Sequence, residues 1–195
     1  MNQCLKDIIL MASWGVAIIG GLIAAFVAIS QLKLNANQRK NELRWRQANA
    51  AKESINDIHS NNWSRNAVTM LDWSEGQHRL KFEGKDNIEI FYEEDVIRAL
   101  GKLQSECSDL EQDIVDCFDW FFYFIDRIEH YIRTNLIEFE DVKDVFSIYS
   151  KKIKKHEELY ENFMKAHSYE LAIAFWKQCG AEEPTQPDCS IKSLA

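Results

Sequence analysis

The stretch "DCFDWFFYFIDRIEHY", residues 116–131, puts six aromatic side chains into the seven positions from Phe118 to Phe124. Three readings compete for it: a membrane segment, a ligand-stacking surface, or the spine of a core. Position along the helix separates them. Leu110, Ile114, Phe118, Phe121, Ile125, Ile128 and Ile132 recur at steps of four and three, which gathers them into one stripe, widened on one side by Trp120, Phe124 and Tyr131. Gln112, Asp116, Asp119, Tyr123, Asp126, His130 and Arg133 take the opposite face. Acids that return at almost every turn are too costly for a bilayer centre. The spacing therefore predicts a core helix over about 108–134 with a broad apolar face. Ser108 stands at its N-cap, with Glu111 three residues on at capping-box spacing.

Working outward, the chain continues in the same mode. It has two prolines and seven glycines in 195 residues, a composition that favours helix. "SNN" at 60–62 breaks one helix and caps a short one, "WSRNAVTMLDW". Leu80–Phe82 and Ile88–Phe91, separated by Glu83-Gly84-Lys85-Asp86, predict a small β-hairpin near 79–92. A helix follows over "EEDVIRALGKLQ", with acids in its first turn. Another begins near Glu140, and a last one runs from His156 to a C-cap near Gly180. Residues 181–195 form a flexible tail.

The other decisive stretch is quieter. From Ile8 to Leu32, "IILMASWGVAIIGGLIAAFVAISQL", no side chain is charged. As helix, that length reaches roughly 37 Å, more than the ~30 Å of hydrocarbon in a bilayer. A cleaved signal peptide has a shorter apolar run of about 7–15 residues and carries its positive charge upstream. A buried soluble helix rarely runs so far without a charge. Here Lys33, Arg39, Lys40, Arg44 and Arg46 follow the span, whereas Lys6 before it is offset by Asp7. The positive-inside rule then places the N-terminus outside and the body in the cytoplasm, with the basic cluster against anionic headgroups. Ala17, Gly21 and Ala25 form one row of small residues on the span; Gly20, Ala24 and Ala28 form another beside it. Such rows let helices approach closely, so a homo-oligomer in the bilayer is expected, although Ala and Gly are also common in spans generally.

The expected organisation is therefore a transmembrane anchor over 1–32, a basic helical neck over 33–60, a helical cytoplasmic domain over 61–180 and the tail. The fold class is mostly α: the transmembrane helix continues into the neck and leads to an antiparallel helical bundle with one small β-hairpin. Charge follows the same division. Up to Lys52 there are seven basic and two acidic side chains; beyond it there are sixteen basic and twenty-nine acidic. So acidic a body argues against a broad nucleic-acid surface. Five cysteines, an odd number with no CxxC, fit reduced thiols rather than a disulfide framework, and Cys107 and Cys117 fit core or boundary positions.

Candidate chemistry is sparse. Asp126 and His130, one turn apart on the polar face, are the one acid–imidazole pair that could act in proton transfer, and they equally suit a solvated helix face. The histidines give no HxxxH or HExxH, and the chain has no P-loop, GxGxxG or GxSxG. No metal or cofactor is expected. "RIEH" separates Arg127 from His130 by two residues, shorter than the four to six of HEPN ribonucleases. In "MLDW", Met70–Trp73, Asp72 is placed to tie the hairpin to the helices through backbone amides.

The order of these features resembles that of a group of uncharacterised bacterial single-pass membrane proteins with a helical cytoplasmic domain. The matching pieces are Met70–Trp73, Phe118–His130 and Leu136–Val142. In layout it also resembles the small membrane-pore accessory protein of type VI-B CRISPR systems. The resemblance implies a single-pass inner-membrane protein and assigns no site residues. Three functions fit: a self-associating interaction module without catalysis, of the kind a defence or stress effector would be; a ring of spans forming a pore; and a tethered enzyme with a nonstandard site.

Overall fold

The computed structural model describes the backbone of residues 3–72, 78–82, 84–85, 88–102 and 104–181. Side chains are described for the same residues except 3–20, 22–25, 78, 104 and 181. Among them are seven α-helices, one 3₁₀ turn at Gln104–Glu106 and one two-stranded sheet. The helices are α1 (Gln3–Ser60), α2 (Asn62–Asp72), α3 (Glu93–Gly101), α4 (Asp109–Arg133), α5 (Glu140–Lys155), α6 (Glu157–Ala166) and α7 (Glu170–Ala181). Strands β1 (His78–Lys81) and β2 (Ile88–Phe91) pair antiparallel, with Arg79 opposite Ile90 and Lys81 opposite Ile88. Between them Gly84 holds φ at +80°, a conformation that a side chain would strain.

The chain divides into two compact units, 1–46 and 47–195. In the first unit, α1 is helical from Gln3, and every side chain described up to Arg46 is exposed. Among the described residues no helix is long and apolar enough to cross a membrane. The predicted span Ile8–Leu32 lies for the most part outside the described side chains. Of the small residues singled out there, Ala17, Gly20, Ala24 and Ala25 lie outside them too, whereas Gly21 and Ala28 are exposed. The tail residues 182–195 and Trp73 likewise fall outside the described residues.

The second unit begins inside the predicted neck. Gln47, Ala51, Ser54 and Ile58 are buried at steps of four, three and four, so the last turns of α1 belong to the body. Ala48 is exposed and Ile55 half-buried, so the inward face takes in Gln47 and Ser54 beside Ala51 and Ile58. Two of the buried side chains are polar and carry their own partners: Gln47 Nε2 donates to the Asn135 carbonyl at 3.1 Å, and Ser54 Oγ to that of Ala50 at 2.9 Å.

Helix α4 is the pillar of the body, packed against α2, α3 and α7. Its expected stripe is buried, with Ile114, Phe118, Phe121, Ile125 and Ile128 fully so. The burial is wider than that stripe, because Val115 and Phe122 join it, as does Cys117 at its expected core position. Phe118 packs with its ring tilted at 5.7 Å from Tyr160 of α6, Phe122 at 5.9 Å from Phe163, and Phe121 at 6.1 Å from Trp176 of α7. Phe175 of α7 in turn meets Phe146 of α5 at 5.4 Å. Trp120 departs from expectation: it is 42% exposed and lies edge-on to exposed Tyr123.

Helix ends follow their chemistry. Asn61 Oδ1 accepts from the Ser64 amide at 3.0 Å and starts α2. Ser108 and Glu111 form the capping box of α4, with the Ser108 amide donating to Glu111 Oε2 at 2.9 Å. Asn135, left-handed at φ 57°, closes α4 as the Leu136 amide returns to the Tyr131 carbonyl at 2.9 Å. Two expectations need correction. The single last helix is two, because Ser168 turns left-handed at φ 63° and the Tyr169 amide closes α6 on the Met164 carbonyl at 2.8 Å. Gly180 sits within α7 without a left-handed φ, so it is not the C-cap.

Candidate functional site

The polar face of α4 is where the sequence offered chemistry, and its side chains are largely committed to packing. Asp126 Oδ1 accepts from the amides of Leu171 and Ala172 at 3.0 and 3.1 Å, capping the first turn of α7. Two turns earlier, Asp119 Oδ1 accepts from the Tyr169 hydroxyl at 2.8 Å. Burial, and then that hydrogen bond, push the Tyr169 phenol above its ordinary range. The two acids hold the lead-in to α7 from one helix face. His130 is exposed, with its ring 6.2 Å from that of Tyr131, and no bond joins it to Asp126. The two residues share a face without forming an acid–imidazole pair.

Arg127, the other charged group of "RIEH", reaches back to α1. Its Nη2 bonds Asp57, and its guanidinium lies 4.9 Å from the Phe124 ring centre and 5.9 Å from that of Tyr131. The planar cation covers aromatic surface while pairing with the acid. Of the hairpin contacts, the tie to α2 comes from Asn66, whose Nδ2 donates to the Lys81 carbonyl at 3.2 Å. Asp72, expected in that role, is exposed at the end of α2. Nothing distinguished Asn66 in the sequence, since its value lies in being buried beside a strand 15 residues away.

Carboxylates elsewhere are arranged as clamps. Glu111 accepts from Lys102 Nζ at 2.8 Å, from Arg98 Nε at 2.6 Å and from the Ser108 amide. These bonds, Lys102 foremost, hold its carboxyl well below the usual range. Glu93 at the start of α3 is held low by Lys155 and then His156. Half-exposed Lys85, beside the hairpin turn, pairs with Asp113 of α4, itself buried. The predicted headgroup cluster Lys33, Arg39, Lys40, Arg44 and Arg46 is exposed throughout.

A concave feature of the body lies among α5, α6 and α7. It is a groove of about 250 Å³ with an apolar floor of Ile153, Met164, Ile173 and Trp176. Ser150 and Gly180 complete it, and Lys154, Glu157, Glu161 and Lys177 stand at its rim. Glu161 accepts from both Lys177 and Lys165 at 3.1 Å, which fixes one side of the rim. Trp176 packs against Phe121 and Phe146, and its buried indole N–H has no acceptor among the described residues. The arrangement suits the burial of an apolar side chain or small ligand; it holds no nucleophile with a base beside it. Among the described residues no three His, Cys, Asp or Glu side chains gather into a metal-binding group. Cys117 and Cys179 are buried and Cys107 half-buried, with burial pushing the Cys117 thiol up. Comparison with family profiles, curated proteins and solved structures finds no match to this chain.

Proposed function

We propose that the chain is a membrane-anchored, self-associating interaction module whose helical body works in the cytoplasm without catalysis. One observation carries the reading: 25 consecutive uncharged residues, Ile8–Leu32, lie in a continuous helix and are followed at once by the basic run Lys33–Arg46. That order is the signature of a single span with its C-terminal side inside. The commitment of Asp119, Asp126 and Arg127 to packing contacts supports a binding role for the body over an enzymatic one. The α5–α7 groove, apolar below and charged above, is the surface assigned to a partner.

The test is extraction. Expressed whole in bacteria, the protein stays in the membrane pellet through alkaline carbonate and enters solution with detergent. In intact spheroplasts, externally added protease leaves the body uncut. Release by carbonate overturns the anchor, and digestion of the body from outside overturns the orientation.

A further inference from the structure

The neck of α1 carries a seam that the span alone does not reveal. Val27, Leu34 and Asn41 recur every seven residues, and so do Gln31, Gln38 and Trp45. Interleaved, the two series step by four and three, the 3.5-residue period of positions that face a partner in a coiled coil. The same steps run back through Ala24 and Gly20, joining the seam to the small residues of the span. Every charged side chain between Lys33 and Arg46 falls off it.

Among the described residues of the first unit nothing covers this line. Val27 is 46% exposed, Leu34 58% and Trp45 66%, and no described side chain from Phe26 to Arg46 is buried. Leu32 and Leu43 are also exposed, but their side of the helix carries Arg39, Lys40 and Arg46. Two copies meeting there would bring like charges together. On the seam the polar members are uncharged amides. Each amide can both donate and accept, so Gln31, Gln38 and Asn41 pair with their own counterparts when copies align at equal height. Buried amides of this kind fix the register of a coiled coil at some cost in stability.

We infer that the seam from Val27 to Trp45 zips in parallel and in register against a second copy of this chain. This rests on the anchored, self-associating reading above, since a shared membrane orientation leaves the parallel arrangement as the one available.

Single cysteines placed in the full chain at 34, 36, 38 and 43 test it, with the membranes oxidised and neck-to-neck linked peptides measured by mass so that native cysteines do not interfere. Leu34→Cys and Gln38→Cys are expected to link at least about fivefold more than Ala36→Cys and Leu43→Cys, as seam positions face one another and outer positions do not. Equal linkage at all four positions, stronger linkage at 36 and 43, or no linkage overturns the seam. Carbonate extraction of the same membranes separates the two proposals: periodic linkage in a released chain keeps the seam and removes the anchor, and a retained chain without linkage does the reverse. In detergent, Leu34→Glu with Trp45→Glu is expected to reduce the particle to one subunit; an unchanged mass overturns the seam.

Discussion

Asp126 shows how far a side chain's role depends on what packs beside it. On the helix it is one more acid on a polar face, and its neighbour His130 invites a chemical pairing. In the fold its carboxylate meets two amides of α7, 45 and 46 residues away. Asp126→Ala is expected to cost about 1–2 kcal/mol of unfolding free energy, the usual price of removing a helix cap. His130→Ala is expected to stay within about 0.5 kcal/mol, as exposed substitutions do. Urea unfolding of the detergent-solubilised chain, followed by circular dichroism, measures both. Equal losses for the two would return His130 to a structural partnership with Asp126. Asn66 and Gln47 teach the same lesson, since each is a polar residue whose buried bond to a distant carbonyl has no mark in local sequence.

At the level of elements, periodicity located α4 and its Ser108–Glu111 cap because those depend on residues a turn or two apart. It missed the break at Ser168, because the acceptor that replaces a local cap for α7 sits on α4. It also put Trp120 in the widened stripe and left Phe122 out, while Phe124 and Tyr131 are buried and half-buried as expected, since a wheel of angles does not say which neighbour arrives. Glu111 makes the start of α4 sensitive to acid. Its folded carboxyl is held below the ordinary value, so its stabilisation is fully present above the unfolded-state pKa of about 4.3. It is lost as pH falls from there toward the folded value. Glu111→Gln is thus expected to lower the thermal midpoint near neutrality, and the gap from the native chain should narrow between about pH 5 and pH 3. A gap that held constant across that range would assign the loss to packing instead of charge. Glu93, held low by Lys155 and His156, adds to the same trend.

Across the whole molecule, the mostly helical body with its one hairpin was legible, because both the 3.6-residue period and the Gly84 turn are local signals. The boundary between units was not. The neck was expected to run to residue 60, yet its last turns are buried through Gln47, Ala51, Ser54 and Ile58. Two of those four are polar, so a count of apolar residues passes over them. The α5–α7 groove was equally hidden: Ile153, Met164, Ile173 and Trp176 come from three helices and read in sequence as ordinary core positions. Charge divides along the chain as well, with a basic run up to Lys52 and an acidic remainder.

The cap on α7 also bears on the time course of folding. Its acceptor lies upstream, so during synthesis Asp126 has already emerged when Leu171 and Ala172 arrive. Helix α7 never waits for a residue still to be made, and a contact closed across so long a loop is among the last to form. Stopped-flow traces of the Asp126→Ala chain should accordingly show its loss mainly as faster unfolding, with the folding rate little changed. A matching fall in the folding rate would place α7 in the nucleus instead.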